Sequence, residues 1–158
     1  MKTHHYKINI NWTGNLGTGT SGYTAYNRNH ILSAENKTEL IKLSSDPAFK
    51  GDASLYNPEE LLVASIASCH MLWYLHLCAD AGIVVVDYKD SPEGFMEEGG
   101  DAPGKFVKVI LHPAIIIKQG GDSQKAIELH HLANAKCFIS NSCNFPIEHK
   151  PEISFETS

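Results

Sequence analysis

Residues 61–79 form a 19-residue run without a single Asp, Glu, Lys or Arg. A stretch so long and apolar has two places to go. It crosses a bilayer, which takes about 20 apolar residues, or it becomes the central helix of a packed core. This run contains Ser65, Ser68, His70 and His76 and follows directly on Glu59 and Glu60, which favours the core. Its start is well marked. Asn57 suits the N-cap, Pro58 the first helical position, and Glu59 and Glu60 the first turn, where the helix dipole favours anions. Gly82 is the stop signal. The prediction is a helix of about 24 residues, near 36 Å long. Being apolar all round, it belongs at the centre of the core, with part of its surface facing a second subunit.

The remainder of the chain has to cover that helix. With 158 residues, 42% apolar and 20% charged, the expectation is one globular domain over residues 1–158 that needs no metal or disulfide to fold. The formal charge of −5 and the lack of a basic stripe exclude a dedicated nucleic-acid binder. His5–Trp12 alternates with period two, Tyr23–Leu32 resumes a strand after a Gly-rich turn, and Thr38–Leu43 makes a third. Ile83–Tyr88 is a β-branched strand. Glu93–Gly104 reads as an acidic, turn-rich region. Lys105–Lys118 reads as one long strand bent at Pro113. A second helix, Gln124–Lys136, is capped by Asp122 or Ser123, and a last strand lies around Glu152–Phe155. The fold class is α+β, with antiparallel sheet wrapped around the long apolar helix.

Chemistry has to come from few residues. The cysteines are Cys69, Cys78, Cys137 and Cys143, with no CxxC pair and hence no zinc-ribbon spacing. The N-terminal MKTHHYKINI has no apolar signal segment, so the expected compartment is the reducing cytoplasm, where a cysteine pair serves catalysis more often than structure. A cysteine within an apolar helix, such as Cys69, is either an inert small hydrophobe or a nucleophile. Cys78 lies nine residues on, half a turn out of phase, and so cannot partner Cys69 within one helix. Cys137 falls where the second helix ends. Cys143 falls in a turn or at a strand start. Arg28 is the sole arginine among 13 cations. It is either a plain surface charge or a fork that holds a carboxylate or thiolate. The nine histidines include no i, i+4 pair of the helical metal-binding kind, and their spacing predicts no metal site.

Three segments carry a resemblance. They are Asn57-Pro58-Glu59-Glu60-Leu61-Leu62 followed by Ala67-Ser68-Cys69-His70; then His130, Ala133 and Cys137-Phe138-Ile139-Ser140; and the Trp12–Arg28 stretch ahead of Ser44-Ser45-Asp46-Pro47 and Gly51-Asp52. Over nearly its whole length the chain resembles the OsmC/Ohr family, the osmotically inducible and organic hydroperoxide resistance proteins. The resemblance implies an OsmC-like fold in an intertwined homodimer, with sites at the dimer interface. It implies a thiol-dependent peroxidase that reduces organic hydroperoxides in oxidative-stress defence. Cys69 matches the peroxidatic cysteine, Cys137 the resolving one and Glu59 the catalytic glutamate. Arg28 matches the arginine that pairs with that glutamate and the thiolate. No cofactor, metal, membrane or nucleic acid is implied. The reductant is a dithiol of lipoyl or thioredoxin-like kind. An apolar pocket is expected, lined by Trp73, Met71, Phe138 and aromatics near Tyr26.

Two residues depart from the family pattern. His70 follows Cys69 where an apolar residue is common, and Phe138 and Ile139 follow Cys137 where many members have Pro. These departures support a second reading, a redox-sensing or small-ligand-binding protein that kept the fold and lost turnover. A cysteine hydrolase is a third reading. It needs His70 as base beside Cys69, but adjacent helix residues point about 100° apart.

Overall fold

The computed structural model describes residues 1–101 and 103–157. It is α+β, as the pattern of elements predicts, and divides into two compact units, residues 1–61 and 62–158.

The first unit is an antiparallel meander, β1 (Asn9–Trp12), β2 (His30–Ser33) and β3 (Ile41–Leu43), in the order β1-β2-β3. Asn9 faces Ser33 and Trp12 faces His30. The strands are shorter than their alternation suggests. Residues 23–29 are irregular rather than the first part of a strand. The reason is local. The Arg28 guanidinium turns back and donates to the carbonyls of Tyr26 and Tyr23, each at 2.8 Å, which curls the chain. Gly14 lies so close to Asn27 that a Cβ there would overlap the Asn27 carbonyl. Asn57 and Glu60 form a reciprocal cap for the helix that follows. The Glu60 amide donates to Asn57 Oδ1 at 2.8 Å, and the Asn57 amide donates to Glu60 Oε2 at 3.0 Å.

That helix, α1, is Pro58–Asp80. It ends where Gly82 takes φ +72° and the Ile83 amide reaches back to the Cys78 carbonyl at 2.9 Å. The second unit then builds two three-stranded sheets from β4 (Val85–Lys89), β5 (Glu93–Glu97), β6 (Lys105–Leu111), β7 (Ala114–Ile117), β8 (Ile147–His149) and β9 (Glu152–Phe155). Their orders are β4-β7-β9 and β5-β6-β8. Helix α2, Ser123–Lys136, is capped by the Asp122 side chain, which accepts from the Lys125 amide at 2.9 Å.

Four expectations need correction here. The β6-β8 and β7-β9 pairs are parallel, so the sheets are mixed rather than antiparallel. The run 105–118 is two strands in different sheets, because Pro113 is buried between them and has no amide to carry a ladder onward. Residues 93–97, expected to be turn, form β5. Its charges are answered across the sheet, with Glu97 opposite Lys105 and the Lys108 ammonium 4.6 Å from the Phe95 ring centre. The three-residue strand β8 gives no periodic signal at all.

The fourth correction concerns α1 itself. Only one stripe of it is buried: Ile66, Ala67, His70, Tyr74, Leu77 and Cys78. These recur at steps of three and four and so lie on one face. Tyr74, Leu77 and Cys78 join Ile83, Ile115, Ile117 and the Ala126, Leu129 and Ala133 face of α2 in one core cluster. Ile66 and Ala67 join Val109 and Leu111 in a second. The helix thus bridges both sheets of the second unit, although its other apolar face does not enter the core.

Candidate functional site

The other face of α1 is a second stripe, Ser65, Ser68, Cys69, Leu72, Trp73 and His76, one residue out of step with the first. With Phe138 and Ile139 it lines a cleft of about 500 Å³. Leu72 is 60% and Phe138 70% exposed, so the cleft is open to solvent and its walls are apolar. Trp73 is the hub. It meets Phe138 edge-on at 5.7 Å, meets His76 at 5.8 Å, and has the Lys136 ammonium 5.5 Å from its ring centre. Met71, expected in the lining, is not part of it.

Cys69 is half-buried in this wall and Cys137 is fully buried behind it; both are free thiols. Cys137 ends α2, its amide donating to the Asn134 carbonyl and its carbonyl accepting from the Asn141 amide at 3.0 Å. The Ser140 amide points at Cys137 Sγ from 3.4 Å. Cys69 and Cys137 are direct neighbours. Burial is the main cause that pushes the Cys69 thiol up, and the Cys137 thiol adds to it as hydrogen-bond partner and as a competing charge. The backbone amides of Ile139 and Phe138 pull the other way by donating to the Cys69 sulfur.

The other two cysteines are placed differently. Cys78 lies in the core, where burial pushes its thiol up, as expected for a packing residue. Cys143 follows a short 3-10 turn, Ser140–Ser142, and its thiol donates to the Ile139 carbonyl at 3.3 Å.

Arg28 and Glu59 both lie in residues 1–61, and among the described residues neither takes part in a salt bridge. The Arg28 guanidinium is stacked between the rings of Tyr23 and Tyr26, 4.4 and 4.3 Å from their centres. Glu59 is half-buried in the first turn of α1.

One constellation escaped sequence reasoning. His70, on the core face of α1, and His130, on the core face of α2, are both fully buried and joined Nε2 to Nδ1 at 2.9 Å. Tyr74 stacks on His130 with centres 3.8 Å apart. His149 lies 5.7 Å from His70 and bonds His131 at 3.2 Å, nearer the surface. Burial pushes His70 down to about 4 and His130 to about 3, with neighbouring imidazoles adding to the effect. Both are neutral at pH 7. The signal was present in the helical wheel. His70 falls in step with Ile66 and Tyr74, and His130 with Ala126 and Ala133. Among the described residues no three His, Cys, Asp or Glu side chains converge tightly enough to hold a metal ion.

The family model described as OsmC-like protein matches residues 51–152. The uncharacterized protein YmaD of Bacillus subtilis (strain 168) is 23% identical over 98% of this chain and 96% of its own length. Among solved structures, an OsmC-like protein of unknown function from Vibrio cholerae aligns with a TM-score of 0.83 at 24% identity, over 95% of this chain and all of that one. An organic hydroperoxide resistance protein OsmC from Legionella pneumophila aligns with a TM-score of 0.67 at 20% identity, over 96% of this chain and 99% of that one. At these identities the solved structures speak for the fold alone.

Proposed function

Taking as premise that this chain belongs to the OsmC-like protein family, we propose that it is a cysteine-based peroxidase for organic hydroperoxides. The observation that carries the reading is the adjacency of two free thiols, Cys69 and Cys137, at the wall of an apolar cleft.

The chemistry runs in three balanced steps. The Cys69 thiolate attacks one oxygen of the peroxide, the O–O bond breaks, and the alcohol leaves with a proton. Cys69 is then a sulfenic acid. The Cys137 thiolate attacks that sulfur, water leaves, and a disulfide forms before further oxidation can occur. An external dithiol, of lipoyl or thioredoxin-like kind, restores both thiols by exchange. Cys137 is buried in this chain, so the reductant enters at Cys69 and Cys137 departs.

Burial opposes ionisation of Cys69, so activation needs a positive group as well as the Phe138 and Ile139 amides. We assign this role to Arg28, anchored by Glu59 through a bidentate pair. Arg28 is the sole arginine of the chain and so the one guanidinium available for the role. The reading includes a homodimer. Tyr6, Ile8, Ile10 and Trp12 at the first strand are all exposed in the single chain, which favours a covering partner.

The test is direct. The protein is reduced, freed of reductant and mixed with one equivalent of cumene hydroperoxide, and its cysteines are mapped by mass spectrometry within seconds. A Cys69–Cys137 disulfide is the expected product, and four free thiols would overturn the reading. The His70 and Phe138 departures favour one competitor, a sensor that oxidises once and stops. Turnovers per subunit with a dithiol present separate the two: many for an enzyme, one for a sensor.

A further inference from the structure

We infer that the buried His70–His130 hydrogen bond is a positioning device that sets the rotation of α1 against α2, and thereby holds Cys69 on Cys137. The inference rests on the pairing of those two cysteines in the proposed function and adds the residues that enforce it.

The geometry comes first. His70 directly follows Cys69 on α1. His130 precedes Cys137 by seven residues on α2, which is two turns and nearly the same face. The two cysteines and the two histidines therefore form rungs between the same pair of helices. The lower rung is the Nε2–Nδ1 contact of 2.9 Å between rings inclined by 10°. Tyr74, one turn after His70, closes on the His130 ring at 3.8 Å. His130 is thus gripped by residues i and i+4 of the opposing helix.

Why a polar rung is needed follows from the rest of the interface. Leu77 and Cys78 of α1 meet Ala126, Leu129 and Ala133 of α2. Contacts among such side chains are non-directional and tolerate sliding and rolling. A hydrogen bond between rings does not, because it weakens steeply with misalignment. Apart from the Cys69–Cys137 thiol pair that it would position, no other side-chain hydrogen bond joins α1 to α2 among the described residues. His70 is the next residue after Cys69, so a small roll of α1 that breaks the rung also swings the sulfur away from its partner. The bond has a cost. In either tautomer pair, His70 Nδ1 and His130 Nε2 remain buried without a partner. A buried polar contact kept at such a cost is a recognised means of fixing register between helices.

The test reads the thiol pair without any peroxide. The Cys69–Cys137 disulfide is equilibrated against mixtures of reduced and oxidised glutathione and quantified by mass spectrometry. H70L removes the bond at similar volume, and H70Q keeps an amide nitrogen near the Nε2 position. The expected result is at least a tenfold loss of effective thiol concentration in H70L and recovery to within threefold in H70Q. A merely structural role would lower the melting temperature of both variants and leave the equilibrium unchanged, which would overturn the proposal. Should H70L fail to fold, the wild-type protein still decides. A 15N–15N coupling across the His70–His130 bond is expected in both redox states, and its absence in either one would overturn the proposal. If wild type forms no such disulfide at any glutathione ratio, the peroxidase reading and this proposal fail together. A normal equilibrium with no response to hydroperoxide would sink the peroxidase reading alone and leave the positioning role supported.

Discussion

The two faces of α1 carry side chains of similar character and do different work. Ile66, Tyr74, Leu77 and Cys78 are buried among strands and α2, whereas Leu72 and Trp73, one step round, look into an open cleft. The core face is held by contacts all round. On the cleft face, apolar surface stays wet until something apolar fills it. The comparison teaches that the absence of a polar face, which usually marks a fully buried helix, can also mark a helix with one face in the core and one on an open apolar cleft. It also explains why Cys69, the proposed nucleophile, looks from its neighbours like a packing residue.

The comparison can be broken most severely at the sulfurs. Cys69→Ser, on the cleft face, is expected to abolish hydroperoxide consumption. Cys137→Ser should consume one equivalent per subunit and stop, and Cys78→Ser, on the core face, should keep turning over. Equal loss in Cys78→Ser and Cys69→Ser, measured by a ferrous-oxidation peroxide assay, would show that the faces have been misassigned.

Stability should divide in the opposite sense. Ile66→Ala is expected to cost about 2–5 kcal/mol in urea denaturation, as for other buried Ile truncations. Leu72→Ala should fall within about 1 kcal/mol of wild type, while weakening the preference for bulky apolar hydroperoxides. A Leu72 cost as large as that of Ile66 would mean that the cleft wall is core.

Acid should strike the core face through its histidines. His70 is held down at about 4 and His130 at about 3, whereas in the unfolded chain both titrate near 6.5. Between those values the unfolded state binds more protons than the folded one. Stability is therefore complete above about pH 6.5 and falls as the pH drops towards 4 and then 3. His149, also pushed down by burial, adds in the same direction. The check is thermal unfolding at pH 7 and pH 5. An unchanged midpoint would show that the pair is not buried and neutral in solution. The smallest effect belongs to the cap. Asn57→Ala should cost about 1 kcal/mol and leave the thiol chemistry unchanged.

How much of this was legible in the sequence depends on how local each determinant is. Helix α1 was readable nearly to the residue, because Asn57, Pro58 and Gly82 act on their immediate neighbours. Helix α2 was equally clear from Asp122 and the spacing of Ala126, Leu129 and Ala133. The sheets were less so. Glu97 looks like a loop residue until it stands opposite Lys105, and Pro113 could not announce whether it bends a strand or ends one. In the site, the family motifs pointed to Cys69 and Cys137, which the fold brings together. The core-facing positions of His70 and His130 were readable from the helical wheel, but their contact was not, because the partners are 60 residues apart and meet only when two helices pack.

Cys137 is also the residue on which α2 terminates, its amide and carbonyl both spent on closing the helix end. Sulfur chemistry at that position cannot be silent to the backbone. Pulling Sγ into a bond with Cys69 draws on the same residue that holds the last turn shut, so the amides of Asn134–Lys136 should exchange with deuterium faster in one redox state than in the other. If the proposed disulfide forms, that shared residue turns the oxidation state of a buried thiol into a difference in helix fraying at the protein surface.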